Sequence, residues 1–322
     1  MTSMQVSVEA AQESAPESVA ARATMEAFAP PATDASSQSV WRDFADVIRD
    51  VIGARDLVYQ LTLRDIRIKY KQAVMGFGWA VFMPILVVMA GLLIRYIMAT
   101  ASGTALSGRI VGGMAVKALC WAFFSGAIGL ATASLIANMS LLTKIYFPRE
   151  VLPLSTTLAQ TVDTLIGAAA VALLLPFIGA RLSPHLLWVP VLFGLLFGLT
   201  LAASLFLSCA NLFFRDVKYI VQVLLTFGIF ATPVLFEPQM LGRLGGRLLM
   251  LNPLSPIMEG LRLSIMEGHN LLRPLTVILN DGSAFLAWSP WYLLYVAAWM
   301  FAGLLGSTVL FRRAAFVFAE YV

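Results

Sequence analysis

Six long apolar runs set the limits on what this chain of 322 residues can fold into. They cover residues 72–94, 118–143, 164–180, 182–214, 219–236 and 282–311, and the third becomes a full span, 158–178, if Asp163 is included. About 20 residues of apolar helix cross the hydrocarbon core of a bilayer, so each run predicts a transmembrane helix. The fourth and sixth runs exceed that length, so we expect their outer ends to be interfacial or tilted. Hydrophobic residues make up 59% of the chain and charged residues 12%, which leaves lipid as the expected solvent.

The basic residues are unevenly distributed between the two sides that six spans create. If both termini are cytoplasmic, the inner segments after residue 38 carry thirteen Lys and Arg residues and the outer segments carry eight. The densest basic cluster directly precedes the first span, where such charge orients a membrane protein most strongly. We therefore expect both termini to be cytoplasmic.

The chain before the first span divides into a tail and two helices. Residues 1–38 are rich in Ala, Ser, Glu and Pro, which predicts a disordered cytoplasmic tail. Residues 39–74 predict two amphipathic helices, whose apolar stripes are Trp41, Phe44, Ile48, Val51 and Ile52 on the first, and Tyr59, Leu63, Ile66 and Tyr70 on the second.

The second of these helices also carries a basic flank beside its apolar stripe, formed by Arg64, Arg67 and Lys71. This combination favours a helix that lies along an anionic membrane face. The alternative is that the basic residues serve only as a topology anchor.

Residues 138–155, between the second and third spans, form a segment that we call the coupling loop. It is apolar at Leu141, Leu142 and Ile145 although it is predicted to face the cytoplasm. Exposed apolar residues usually mark an interface, so we expect a short helix that docks on a partner. Pro148 disfavours helical geometry at Phe147 and predicts a break there.

Residues 211–218 between the fourth and fifth spans are too few for anything but a tight turn, whereas residues 237–281 form the largest predicted outer segment. Within this outer segment, Asn252–Pro253 and Ser255–Pro256 interrupt an apolar stretch. A pair of short re-entrant or interfacial helices is expected. Irregular backbone at membrane depth needs surrounding protein or a water-filled cavity, which indicates a pore mouth.

Side chains with reactive or ionisable groups are few. No phosphate-binding loop of the form Gly-x-x-x-x-Gly-Lys-Ser/Thr, and no hydrolase or metalloprotease motif, occurs in the sequence. Asp163 is interpreted as a hydrogen-bonded structural carboxylate, with an ion or proton site as the alternative. Lys117 is expected to extend its amine to the interface, and Cys120 and Cys209 are expected to be apolar packing residues. Outer aromatic residues such as Trp121 and Phe124 suit a membrane-interface belt, and such rings could also stack on sugars.

The order of several motifs resembles that of ABC type-2 exporter permeases, in particular the branch that exports O-antigen, capsular polysaccharide and teichoic acid. The resemblance covers residues 41–322 and rests on Tyr-Phe-Pro-Arg-Glu-Val-Leu-Pro-Leu-Ser at 146–155, together with segments 64–84, 120–125, 214–218, 251–255 and 311–320. It implies a permease domain over residues 75–322, in the bacterial inner membrane. It also implies a second copy of the chain, two copies of a separate ATP-binding subunit and an undecaprenyl-linked or other lipid-linked glycan, in contact with membrane lipids. ATP and Mg would bind the partner ATPase, and neither a cofactor nor a nucleic-acid partner is expected for this chain.

The resemblance also assigns roles to particular residues. The ATPase would contact the coupling loop at Lys144, Tyr146, Phe147, Pro148, Arg149 and Glu150. The interface helix at the substrate entrance would present Arg64, Arg67, Lys69, Tyr70 and Lys71. The outer mouth of a channel between two copies, lined by the first and fifth spans, would include Trp121, Phe124, Asn252, Pro253, Glu259 and Arg262.

Three other functions are weighed against polysaccharide export. The chain could belong to an exporter of the same class for another substrate, such as teichoic acid, a lipid or a drug. A secondary carrier would need inverted repeats and several ion ligands at the midplane, of which only Asp163 is a candidate. A membrane-embedded transferase would need paired catalytic residues, for which the outer Glu259, Arg262, Glu267 and His269 are the sole cluster in the sequence.

Overall fold

The computed structural model describes residues 40–71, 76, 78–102, 108–144, 147–178, 183–278 and 284–321. The predicted disordered tail lies outside these residues, as do Ile145 and Tyr146 of the coupling loop. The described chain is predominantly helical, in agreement with the predicted all-α membrane fold.

Two helices precede the first span, α1 (Val40–Gly53) and α2 (Arg55–Tyr70). The helices at the six predicted spans, called span helices below, are α3 (Gly78–Ser102), α4 (Gly108–Ala137), α6 (Val151–Leu174), α7 (Trp188–Phe213), α8 (Val217–Gly228) and α11 (Trp291–Tyr321). The coupling loop contains the short helix α5 (Met139–Lys144), and the outer segment contains α9 (Gly242–Met250) and α10 (Leu254–Arg262). Short 3-10 helices occupy Leu175–Ile178, Pro184–Leu187, Ile229–Ala231 and Pro238–Leu241, and a π-helical turn occupies Leu263–Glu267.

Four stretches of the described chain are long and apolar enough to cross a membrane: Gly108–Ala137, Val151–Leu174, Pro184–Phe213 and Trp291–Ala314. The other two predicted spans correspond to shorter apolar helices, Gly78–Ile94 and Val217–Ala231. The structure therefore supports a multi-pass membrane protein, and the count of six spans stays a prediction.

The span helices enclose two separate hydrophobic cores, and α4 contributes to both. One core combines Phe123 of α4 and Leu196 of α7 with Ile257 of α10. The other combines Leu61 of α2 and Leu135 of α4 with Val151 of α6. These cores lie at opposite ends of α4, and we call them the hairpin end and the α2 end.

The hairpin end takes its name from two antiparallel strands that the sequence analysis did not predict. Strand β1 (Leu275–Ile278) pairs with β2 (Ala284–Trp288), with Val277 opposite Phe285. On β2, Phe285 and Ala287 are buried while Ala284 and Leu286 are exposed. The sixth apolar run therefore begins as a strand and becomes helical only at Trp291. The first part of this run is therefore β structure rather than helix, and the fourth run begins with the 3-10 helix at Pro184–Leu187.

The connections around the spans largely follow the sequence predictions. Helix α5 ends before Phe147–Pro148, and α6 begins at Val151, so the predicted break in the coupling loop is confirmed. A tight turn does join α7 to α8, and Asn211 stabilises it by accepting a hydrogen bond from the Lys218 backbone N–H at 3.1 Å. The predicted pair of short helices in the outer segment is also present, separated at Asn252–Pro253.

Candidate functional site

The C-terminal end of α2 is fixed to the third span by a group of polar side chains that we call the anchor cluster. Asp163 of α6 is 4% exposed and accepts hydrogen bonds from the Lys69 amine and the Tyr70 hydroxyl. Lys69 also donates to the Gln160 side chain at 3.0 Å. Burial, and then the bond to Asp163, raise the pKa of Tyr70, so its hydroxyl stays protonated and donating. Asp163 is therefore hydrogen-bonded as expected, and its structural role stays a prediction.

The face of α2 that packs on the bundle is not its predicted apolar stripe. Leu61 is the buried residue of α2, and Asp65, one turn later, accepts a hydrogen bond from Ser155 at 3.3 Å. At about 100° per residue, the stripe that begins at Tyr59 lies roughly 160° from Leu61. Tyr59 itself is 61% exposed. Helix α2 therefore packs on the protein through Leu61, while its predicted stripe is exposed at Tyr59, partly exposed at Leu63 and Ile66, and attached to the bundle at Tyr70.

The basic flank lies between these two faces. Arg67 and Lys71 are exposed, while Arg64 is partly exposed and pairs with Asp65 at 2.8 Å. Two of the three cations therefore point to solvent and could contact an anionic headgroup.

The coupling loop contacts its own chain more than its sequence indicates. Leu141, Leu142 and Phe147 are partly buried against the core of the α2 end, so their apolar character has an explanation within this chain. Burial raises the pKa of Glu150, although Arg312 opposes that shift. Arg312 in turn pairs with Asp50 of α1 at 2.9 Å. The ATPase-contact role of residues 144–150 stays a prediction, and of these Lys144 is described only as the last residue of α5.

A groove of about 650 Å³ with both polar and apolar lining residues runs between the second and fifth predicted spans. Its walls are helices α4 and α8, and its lining residues are Trp121, Ser125, Gly126, Gly129, Thr132, Ala133, Lys218, Tyr219, Val221, Gln222, Leu225 and Thr226. Toward the α2 end, the Lys218 amine lies 4.7 Å from the centre of the Tyr219 ring. Toward the hairpin end, Trp121 approaches Gly228 of α8 so closely that a Cβ there would lie 2.9 Å from the indole ring.

Several side chains in the groove carry hydroxyl or amide groups, and the hydroxyls of Ser125, Thr132 and Thr226 donate to carbonyls of their own helices. Gln222 is exposed although it lies within a predicted span, and an amide facing hydrocarbon would be costly. Hydroxyl and amide groups together with the rings of Trp121 and Tyr219 are the groups that recognise sugars, by hydrogen bonding and by stacking. The sequence analysis selected Trp121 but missed Gln222, because a single Gln in an apolar run gives no positional signal by itself.

The residues predicted for the outer mouth divide between two environments. Trp121 contacts Phe124 with ring centroids 5.8 Å apart, and Asn252 caps the start of α10 by accepting a hydrogen bond from the Leu254 N–H at 3.1 Å. Pro253 immediately precedes α10. By contrast, Glu259 is 0% exposed and Arg262 is 8% exposed. Arg262 donates to Glu259 and to Glu267, in both cases at 2.6 Å.

Lys117 belongs to the same group, so its predicted interfacial position is wrong. It is 1% exposed, because α4 begins at Gly108, ten residues before the predicted span. Its amine lies 3.8 Å from Glu259. We call Lys117, Glu259, Arg262 and Glu267 the charge cluster. His269, which the sequence analysis grouped with them, instead contacts the Arg273 carbonyl.

The long apolar helices support a multi-pass membrane protein, and Cys120 and Cys209 are free and buried, as predicted for packing residues. No family model matches this chain. It is 28% identical over 227 residues to the O-antigen export system permease protein RfbA of Myxococcus xanthus, which covers 70% of this chain and 85% of that protein. Two proteins of the same name from Klebsiella pneumoniae are each 26% identical, over 214 and 216 residues, which cover 66% of this chain and 81% of each of those proteins. The resemblance to ABC type-2 permeases is confirmed, and the relatives are named as transport proteins rather than enzymes.

Proposed function

We propose that this chain is the membrane-spanning subunit of an ATP-driven exporter that moves a lipid-linked glycan out of the cytoplasm. The observation that carries the proposal is the similarity over two thirds of the chain to permeases of O-antigen export systems. The sequence contains no phosphate-binding loop, so ATP hydrolysis needs a separate subunit.

The α2 end is the side on which that ATPase would dock. Its coupling loop joins the second and third spans, and Phe147 packs on the same core as Leu61 of α2. Force applied to this loop would therefore reach both α2 and the span helices, because rigid packing transmits displacement. The excess of basic residues on this side supports a cytoplasmic location for it, and with six spans both termini are cytoplasmic.

The groove would form part of the glycan path. Its lining includes the side chains of Ser125 and Gln222, and α3 and α8 both expose large apolar side chains, such as Met89 and Leu224. A second copy packing near these two helices would cover that apolar surface and enclose the groove. Residues at the α2 end, including the basic flank, would then receive the lipid carrier's anionic headgroup.

A secondary carrier fits the structure less well. The carboxylate available within a predicted span, Asp163, is already engaged by Lys69 and Tyr70. An exporter of the same class with another substrate is the main alternative, and the nature of the material retained inside cells would distinguish the two.

The test is to delete the chain in its native host and measure glycan on the cell surface. We expect surface glycan to be lost and lipid-linked glycan to accumulate inside, with recovery on re-expression. Gln222→Leu should lower recovery at least fivefold, whereas Val223→Leu, on the same helix but outside the groove, should recover fully. Normal surface glycan after deletion would contradict the proposed function.

A further inference from the structure

The charge cluster at the hairpin end connects three elements that are far apart in sequence. Arg262 donates to one Glu259 oxygen, Oε1, through Nε at 2.9 Å and Nη2 at 2.6 Å. The other oxygen, Oε2, lies 3.8 Å from the Lys117 amine and accepts no hydrogen bond from any described residue. Lys117 also donates to the Phe236 carbonyl at 3.3 Å. Glu259 of α10 thus faces Lys117 of α4, and Lys117 holds the chain that follows α8.

Stability alone is a poor explanation for these charges. Removing charged groups from water is costly, and a buried ion pair is often no more stabilising than apolar residues of the same volume. Burial would raise the pKa of Glu259, but the attraction of Arg262 and Lys117 outweighs it and holds the pKa below its ordinary value. Glu259 is therefore ionised, and its contacts are directional. Such contacts fix positions rather than simply filling space.

The side chain of Arg262 also packs closely against α4. Gly113 of α4 lies against the Arg262 side chain, where a Cβ would approach Cγ and Cδ to 3.1 Å. The backbone of α4 and the guanidinium stem are therefore in direct contact. Any outward movement of α10 would have to break this contact as well as the ion pairs.

The charge cluster also lies next to the closed end of the groove. Lys117 and Trp121 are four residues apart on α4, so they share one face of the helix. Trp121 closes on Gly228 of α8, and Phe236, which Lys117 holds, follows that helix by eight residues. The indole contact thus joins α4 to α8, and the lysine contact, one helical turn away on α4, joins α4 to the chain that follows α8.

We propose that Glu259 is a positioning residue that, by holding Lys117, keeps the hairpin-side ends of α4 and α8 together and the groove closed beyond Trp121. Its importance for export rests on the proposed function, but closure itself is a property of this chain. Opening of the groove at this end would require Lys117 to leave Phe236 or Glu259.

Cys120, next to the groove residue Trp121 and packed in the core of the hairpin end, provides a native probe of separation at this end. It lies one turn from Lys117, is 6% exposed, and is the sole thiol once Cys209 is replaced by Ala. The experiment uses the full chain in native membranes and a membrane-impermeant maleimide, and measures the labelling rate of Cys120. We compare Glu259→Gln, the neutral pair Lys117→Met with Glu259→Gln, and the control Glu267→Gln. Glu267 contacts Arg262 at the half-exposed rim of the cluster.

We expect Glu259→Gln and the neutral pair to label at least tenfold faster than the Cys120-only parent, and Glu267→Gln to stay within twofold. Glu259→Gln alone leaves the buried Lys117 amine without its carboxylate, which could prevent folding. The neutral pair removes both charges, so it decides the test if Glu259→Gln is not recovered in the membrane. Unchanged labelling in a folded neutral-pair variant would overturn the proposal. Labelling requires neither ATP nor glycan, so this result is independent of whether the chain exports a polysaccharide.

Discussion

Removal of the Asp163 carboxylate should loosen α2 from the bundle without unfolding the spans. In Asp163→Ala, Tyr70 and Lys69 each lose their hydrogen bond to Asp163, and Lys69 retains its bond to Gln160. A hydrogen bond to a charged group contributes about 1.5–3 kcal/mol. The Lys69 side chain is 41% exposed, so water can replace most of its interaction with Asp163. We therefore count little stabilisation from the Lys69 contact. The free energy that holds α2 on the bundle should then fall by about 2 kcal/mol, mostly through loss of the hydrogen bond between Tyr70 and Asp163.

Hydrogen exchange measures this loss directly. A change of about 2 kcal/mol corresponds to about a 30-fold change in an equilibrium constant, so the amides of Arg55–Tyr70 should exchange about 30-fold faster where exchange follows local opening. Asp163→Asn retains one acceptor oxygen and should have a smaller effect, about tenfold or less. Asp216→Ala, which removes an exposed carboxylate, is the control and should leave the exchange of α2 unchanged.

The exchange of α2 and the export activity of the Asp163 variants together test the role of this carboxylate. If α2 exchanges at the parental rate in Asp163→Ala, the anchor cluster does not hold α2 and its contacts carry no net free energy. Export by Asp163→Asn should be only mildly reduced. Abolished export with unchanged exchange of α2 would instead favour an ion-coupled role for this carboxylate.

Three further predictions concern the α2 end. Reversal of the charges at Arg149 and Glu150 should uncouple or release the ATPase without preventing membrane insertion; wild-type export and partner binding in that double variant would refute the coupling role. Replacement of the basic flank by Gln should reduce substrate loading severalfold with assembly intact, unlike the control Arg55→Gln, and unaltered export would remove its role at the entrance. Burial raises the pKa of Glu150, so the folded state favours the protonated form and loses stability as the pH rises through that pKa. Glu150→Gln should therefore raise the melting temperature at pH 7 by a few degrees and have little effect near pH 4, and an equal effect at both pH values would contradict this assignment.

Features encoded locally could be predicted from the sequence. The apolar runs, the break at Phe147–Pro148 and the paired short helices around Asn252–Pro253 each depend on residues that are close together in the chain. Apolar length, proline geometry and helical period determine such features before tertiary contacts form. The hairpin was missed because residues 282–288 were assigned to the sixth span, although Asn280–Asp281–Gly282 is a typical turn signal after the β-favouring residues 275–278.

The polar contacts that organise the candidate site could not be predicted in this way. Lys69 and Asp163 are 94 positions apart, and Lys117 and Glu259 are farther apart still. Nothing in either residue's neighbourhood indicates its partner. The face of α2 that packs on the bundle was missed for a related reason, because the stripe predicted to lie along the membrane gave no sign of a second apolar face around Leu61. A helix between a bundle and a membrane satisfies both surfaces, so its pattern is ambiguous until the fold is known.

The central claim is that this chain works as the permease subunit of an ATP-driven exporter, and its partner is the most direct test. The chain should be tagged in its native host, purified from membranes in a mild detergent, and its partners quantified by mass spectrometry. The account predicts an ATP-binding subunit in one-to-one ratio, lost when Arg149 and Glu150 are charge-reversed. Recovery of the chain without any ATP-binding subunit, under conditions that preserve other membrane complexes, would contradict the account.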